Sequence, residues 1–153
     1  MNTTFKETQK FTQLWIWVIL LAVGGIMTYQ FVWGNNQSQF RMDEFLVSVV
    51  VIFLVILLFL VWKQSTEISE KGIKIQVFPF FTKNYKWEDI AECQVIKYGF
   101  VGWGIRFAPA YGWVYNIKGN KGLRLVFING KKRLIGTQKA EELQEFLKQI
   151  GKV

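Results

Sequence analysis

Cys93 is the only thiol in the chain, and Glu88, Asp89 and Glu92 stand close before it and beside Lys86, so this stretch holds the residue types that nucleophilic, acid/base or metal chemistry would use. The chain contains no histidine, which removes the commonest general base, the usual triad partner and the usual zinc ligand together. A single cysteine also excludes an intrachain disulfide and a cysteine-rich metal site. Cys93 falls in an alternating apolar pattern and is expected as a small core residue. The three carboxylates are expected on a solvated turn. Gly99, Gly102 and Gly104 have a phosphate-loop look, but no helix follows them, so they are expected to form a curved β corner, where glycine is useful because it lacks Cβ. No catalytic residue, no cofactor and no metal site is expected, and the chain is read as a binding protein rather than an enzyme.

Two groups of residues suit recognition. Arg106 is the one charge in an aromatic stretch and, with Trp103, Trp113 and Tyr115, is a candidate structural or ligand corner, where a guanidinium stacks on a ring or meets an anion. From Lys63 onward sixteen Lys and Arg face eight Asp and Glu, a surplus equal to the whole chain's net charge of +8. Lys118, Lys121, Arg124, Lys131, Lys132 and Arg133 are the candidate contacts with an anionic surface, each worth about 1 kcal/mol close to charged headgroups. No recognition helix or aromatic RNA-binding signature accompanies them, so nucleic acid is not an expected partner.

The elements that must position these residues begin with two charge-free runs. Leu14 to Trp33 has twenty residues and Phe45 to Trp62 eighteen. At about 1.5 Å per residue they extend about 30 and 27 Å, the thickness of a bilayer's hydrocarbon core. Trp15, Trp17, Tyr29, Trp33 and Trp62 cluster near the run ends, where amphipathic rings favour the headgroup level. The division expected is an N-terminal cytoplasmic segment (1–13), a first span (14–33), an extracytoplasmic loop (34–44), a second span (45–62) and a cytoplasmic domain (66–153). Lys6 and Lys10 precede the first span, only Arg41 lies in the loop, and every other basic residue follows the second span. By the inside-positive bias both termini are expected in the cytoplasm, for a multi-pass protein of the inner (plasma) membrane. Neither run holds an acidic, basic or histidine side chain, which argues against ion transport by this chain alone.

Beyond Thr66 the period changes from helix to strand. Ile73 to Val77, Thr82 to Trp87, Ala91 to Tyr98, Trp103 to Phe107, Trp113 to Ile117, Leu123 to Phe127 and Lys131 to Gly136 predict seven antiparallel strands, with Asn129-Gly130 a two-residue hairpin turn. Leu143, Phe146, Leu147 and Ile150 then form one helical stripe, with Thr137 placed to cap the helix. The fold class expected is a membrane α-helical hairpin plus an α+β domain.

The run Gly102-Trp103-Gly104-Ile105-Arg106, then Val114-Tyr115-Asn116-Ile117 with Gly119-Asn120-Lys121-Gly122, then Leu134-Ile135-Gly136-Thr137-Gln138 ahead of Glu141-Glu142-Leu143, resembles the bacterial pleckstrin-homology-like domains of small two-helix membrane proteins. Lys139-Ala140 departs from it, standing where a proline is expected. The resemblance implies a seven-stranded antiparallel barrel or sandwich capped by a C-terminal helix, and a binding or scaffold role at the membrane. Two further roles are compatible: an accessory or regulatory subunit of a larger transport or secretion complex, and a sensor of anionic lipid headgroups. The partners implied are the membrane itself, an anionic lipid, and a membrane-protein partner or a second copy.

Overall fold

The computed structural model describes residues 4–33, 42–99 and 102–152. The order is β1 (Thr4–Lys10), α1 (Leu14–Trp33), α2 (Met42–Val61), β2 (Lys63–Ser69), β3 (Gly72–Phe78), β4 (Phe81–Tyr85), a short 3-10 turn (Trp87–Asp89), β5 (Ile90–Lys97), β6 (Gly104–Ala108), β7 (Gly112–Asn116), β8 (Lys121–Phe127), β9 (Lys132–Gly136) and α3 (Ala140–Gln149). The chain divides into two units, one of the residues up to Lys10 together with those from Lys63 onward, the other of Phe11–Trp62.

The second unit contains α1 and α2, both long and apolar enough to cross a membrane. The second helix begins three residues earlier than its charge-free run, so that Asp43 and Glu44 occupy its first turn, where the helix dipole favours negative charge. Phe31 and Phe45 stack across the pair with centroids 4.1 Å apart. Phe11 packs edge-on against Phe59 and Trp62, at 5.3 and 5.0 Å. Thr28 and Ser48 each donate to the carbonyl one turn back, Gly24 and Glu44, at 2.8 Å, which satisfies a hydroxyl without an external partner. Most of the loop expected at 34–44 lies outside the described residues.

The first unit is built on two sheets. One has the order β1-β2-β3-β4 and is antiparallel throughout; the other has the order β5-β8-β9-β7-β6. The seven expected strands are present as β3 to β9, and two differences stand out. The segments on either side of the helical hairpin are themselves strands, and β7 pairs with β9 in parallel, through Val114↔Leu134 and Tyr115↔Ile135. The first sheet therefore starts before the helices and resumes at Lys63, three residues ahead of the expected domain start.

One face of the first sheet is buried. Phe5↔Ile68, Glu7↔Thr66 and Gln9↔Gln64 are cross-strand pairs pointing inward, and Ile73, Ile75 and Val77 continue the face. On the outer face Lys6 pairs with Glu67 at 3.1 Å, and the Thr8 and Ser65 hydroxyls meet at 3.1 Å. The second sheet contributes Tyr115, Leu123, Leu125, Phe127 and Ile135 to the buried side. Aromatic pairs join the two sheets: Phe81 with Tyr115 at 5.8 Å and Tyr85 with Phe127 at 5.1 Å. Its opposite side carries a smaller cluster of Tyr98, Val114 and Leu134. Helix α3 buries Ala140, Leu143, Phe146 and Leu147, with the Phe146 ring 6.3 Å from Phe5.

Candidate functional site

The six candidate basic residues are distributed over three places rather than one. Lys118 and Lys121 flank the Gly119-Asn120 turn between β7 and β8. This turn is held by the side chain of Gln138, which donates to the Lys118 carbonyl, and by Asn116 Nδ2, which donates to the Gly119 and Gly102 carbonyls at 3.2 Å. Lys121 is hydrogen-bonded to Glu141 on α3, and this ammonium holds the Glu141 carboxyl below its usual range. Arg124, in the middle of β8, lies 3.6 Å from Glu92 on β5. Two of the six thus have carboxylates beside them, which shortens the list available to an anionic surface.

Lys131, Lys132 and Arg133 lie at the other end of β8 and β9. Cross-strand pairs share a face, and the pairs Leu125↔Arg133 and Arg124↔Leu134 therefore put Arg133 on the inner side with Leu125 and Arg124 on the outer side. Arg133 donates from Nη1 to the Lys132 carbonyl at 2.7 Å. Around it is a depression of about 530 Å³ whose wall includes Tyr85, Phe127, Asn129, Lys131 and Asp89. Burial, and next to it the neighbouring Tyr115, pushes the Tyr85 phenol above its ordinary value. Lys131 and Arg133 line it together with the rings of Tyr85 and Phe127, a lining of donors and aromatic surface that can hold an acceptor-bearing group, with Asp89 among the lining residues.

The candidate corner resolves into separate parts. Arg106 reaches back over its own turn and donates from Nε and Nη2 to the Trp103 carbonyl, at 3.2 and 2.7 Å. Its guanidinium lies in the space a side chain at Gly102 would occupy and could swing away, but Gly102 has φ +81°, a left-handed conformation that favours glycine. Trp113 sits further along the hairpin, 42% exposed, with its ring 6.1 Å from Phe107. Tyr115 is fully buried in the core, and its hydroxyl meets Lys83 Nζ at 3.4 Å. Of the four, Trp103 and Arg106 form one backbone-holding contact, while Trp113 and Tyr115 face the other side of the strand pair from Arg106.

Among the described residues no three His, Cys, Asp or Glu side chains converge as metal ligands. Glu88 and Asp89 lie in the 3-10 turn, and Glu92 points to Arg124. Cys93 is partly buried on β5, and burial pushes its thiol up to about 12.

A buried polar network escaped sequence reasoning. The Glu7 carboxylate accepts from the Thr137 hydroxyl, from the Gln138 backbone N–H at 2.7 Å and from Gln9 Nε2 at 2.9 Å. Gln9 Nε2 also reaches the Gly136 carbonyl at 2.9 Å, and Gln64 Nε2 the Tyr115 carbonyl at 3.3 Å. Thr137 is consequently not the N-cap of α3. Lys139 is, without a side-chain bond, and Thr137 Oγ1 instead accepts from the Lys139 N–H at 3.0 Å. The only sequence signal for this network was a run of polar residues on both sides of the apolar helices. No protein-family model and no curated protein matches the chain.

Proposed function

We propose that the protein is a membrane-anchored, PH-like binding or scaffold module, with both termini and the β domain on the cytoplasmic side of the inner membrane. The observation that carries this reading is the antiparallel pair Lys10↔Lys63. Lys10 ends the strand before α1 and Lys63 begins the strand after α2, so the helical hairpin is inserted between two hydrogen-bonded neighbours of one sheet. A chain that leaves and returns at adjacent strand ends keeps both on one side of a bilayer, as two crossings require. The excess of Lys and Arg outside the loop supports the cytoplasm as that side. Such an attachment through two adjacent strands holds the domain at the headgroup surface and leaves its turns available to a partner.

Purification of the full chain in mild detergent, followed by mass spectrometry, tests the role. A second polypeptide in fixed stoichiometry, or a second copy, is the expected result. If the copurifying protein is a transporter or secretion component, the accessory-subunit reading replaces the scaffold reading. Retained anionic lipid with no protein favours a headgroup sensor instead.

A further inference from the structure

The two ends of the first sheet differ in chemistry. At one end the β2–β3 turn reads Ser69-Glu70-Lys71-Gly72, an ordinary polar turn. At the other end the β3–β4 turn reads Phe78-Pro79-Phe80-Phe81, and from Gln76 to Asn84 there is no carboxylate. Phe78 is 43% and Phe80 49% exposed. Aromatic rings in a turn that faces water gain nothing from that position, and an exposed apolar feature rimmed by polar residues marks an interaction surface.

The strand register says which surface. Lys63 pairs with Phe78 on one side and with Lys10 on the other. The Phe-rich turn therefore lies at the end of the sheet from which the chain runs into both membrane-length helices. Helix α2 ends at Val61, two residues before Lys63. Two peptide steps of about 3.8 Å and one strand spacing of about 5 Å keep Phe78 within roughly 13 Å of the end of α2, whatever the angle between helix and sheet. A helix of twenty residues is about as long as the hydrocarbon core is thick, so its end lies at the headgroup boundary. Lysines complete the pattern: Lys63 Nζ stands 5.3 Å from the Phe78 ring centre, Lys83 Nζ 5.2 Å from that of Phe81, and Lys10 is next in register. Rings that enter the acyl boundary with ammonium groups at phosphate level are how a segment anchors in the interface of an anionic leaflet.

We propose that the Phe78-Pro79-Phe80 turn dips into the same leaflet from which α1 and α2 emerge, giving the domain a third membrane contact that fixes its tilt; the proposal rests on the membrane reading above. The test uses the full chain in liposomes containing anionic lipid, with Cys93→Ala as background and an environment-sensitive fluorophore on Phe80→Cys, on Phe78→Cys, or on Lys71→Cys at the far end of the same sheet. All three positions are exposed, so the substitutions leave the core intact. Blue-shifted emission at 80 and 78 that is quenched by lipids carrying a shallow nitroxide, with neither effect at 71, is the expected result. Equal, water-like emission at 80 and 71 in a chain that resists alkaline extraction overturns the proposal and leaves the membrane reading intact. Protection of position 80 from aqueous iodide without quenching by lipid nitroxide also overturns it, since a second copy would then cover the turn. A chain released by alkaline extraction removes the membrane reading and the proposal together.

Discussion

A carboxylate inside a sheet is tolerated only where donors replace the water it has lost. Glu7 is 7% exposed and has three, from Thr137, Gln138 and Gln9. Glu7→Ala removes the acceptor and leaves a buried hydroxyl and a backbone N–H without it, so we expect a loss of about 2 to 4 kcal/mol, measured by denaturant unfolding of the detergent-solubilised chain. Gly136 is equally constrained, because a Cβ there would stand 2.4 Å from Asn116 Oδ1. At Cys93 burial pushes the thiol from its ordinary 9.0 up to about 12. The thiolate fraction at pH 8 then falls about a thousandfold, partly offset by the greater nucleophilicity of a high-pKa thiolate. Alkylation of the native protein should be at least about tenfold slower than in denaturant. Equal rates would show an accessible thiol. The same shift makes its contribution to stability complete below pH 9.0 and progressively lost as pH rises toward about 12, because only the unfolded chain releases the proton in that interval.

Strand β1 is separated in sequence from its partner by the whole helical hairpin, yet it supplies Phe5, Glu7 and Gln9 to the buried face. A fragment starting at Thr66 lacks all three, and Gln64 as well. We expect it to remain unfolded or to aggregate through the bare edge of β2. Replacing residues 11–62 by Asn-Gly joins the paired ends Lys10 and Lys63 through a two-residue hairpin turn, the shortest connection that suits antiparallel strands. That shortened chain should be soluble and melt cooperatively. Circular dichroism and size-exclusion chromatography of the two fragments check both expectations. If the Thr66 fragment folds as well as the joined one, β1 is dispensable.

For the molecule as a whole, the proposed topology puts residues 34–41 outside and everything else that is not in the bilayer inside. A cysteine at Asn36 should react with an impermeant thiol reagent in intact cells. One at the exposed Thr82 should react only after permeabilisation, both in a Cys93→Ala background, since the partly buried native Cys93, its thiol pushed up to about 12, reacts too slowly to report on sidedness. Labelling of Thr82→Cys in intact cells would invert the orientation. Labelling of both would mean that the helices do not cross as a pair.

The amino-acid sequence alone determined the elements whose own residues specify them. Twenty charge-free residues must form a helix, because in an apolar medium only intrasegment hydrogen bonds satisfy the backbone. The alternation Ile73-Ile75-Val77 and Leu123-Leu125-Phe127 marks one buried face per strand, and Asn129-Gly130 and the Leu143-Phe146-Leu147 stripe specify a turn and a helix in the same local way. Strands β1 and β2 were not legible, since the inward positions of Thr4–Lys10 are Phe5, Glu7 and Gln9 and those of Lys63–Ser69 are Gln64, Thr66 and Ile68. Polar side chains can face inward only if distant donors and acceptors meet them, and Thr137, Gln138, Gly136 and Tyr115 are distant in sequence. The parallel pairing of β7 with β9 likewise depends on which strand lies between which others. So does the separation of Arg124 from Arg133, because a strand's own pattern gives its two faces but its register with a neighbour decides which charges meet. Only the tertiary structure decided those pairings, and with them that Phe78 stands in register with Lys63 and Lys10, the residues at which the sheet leaves for and resumes from the helical hairpin.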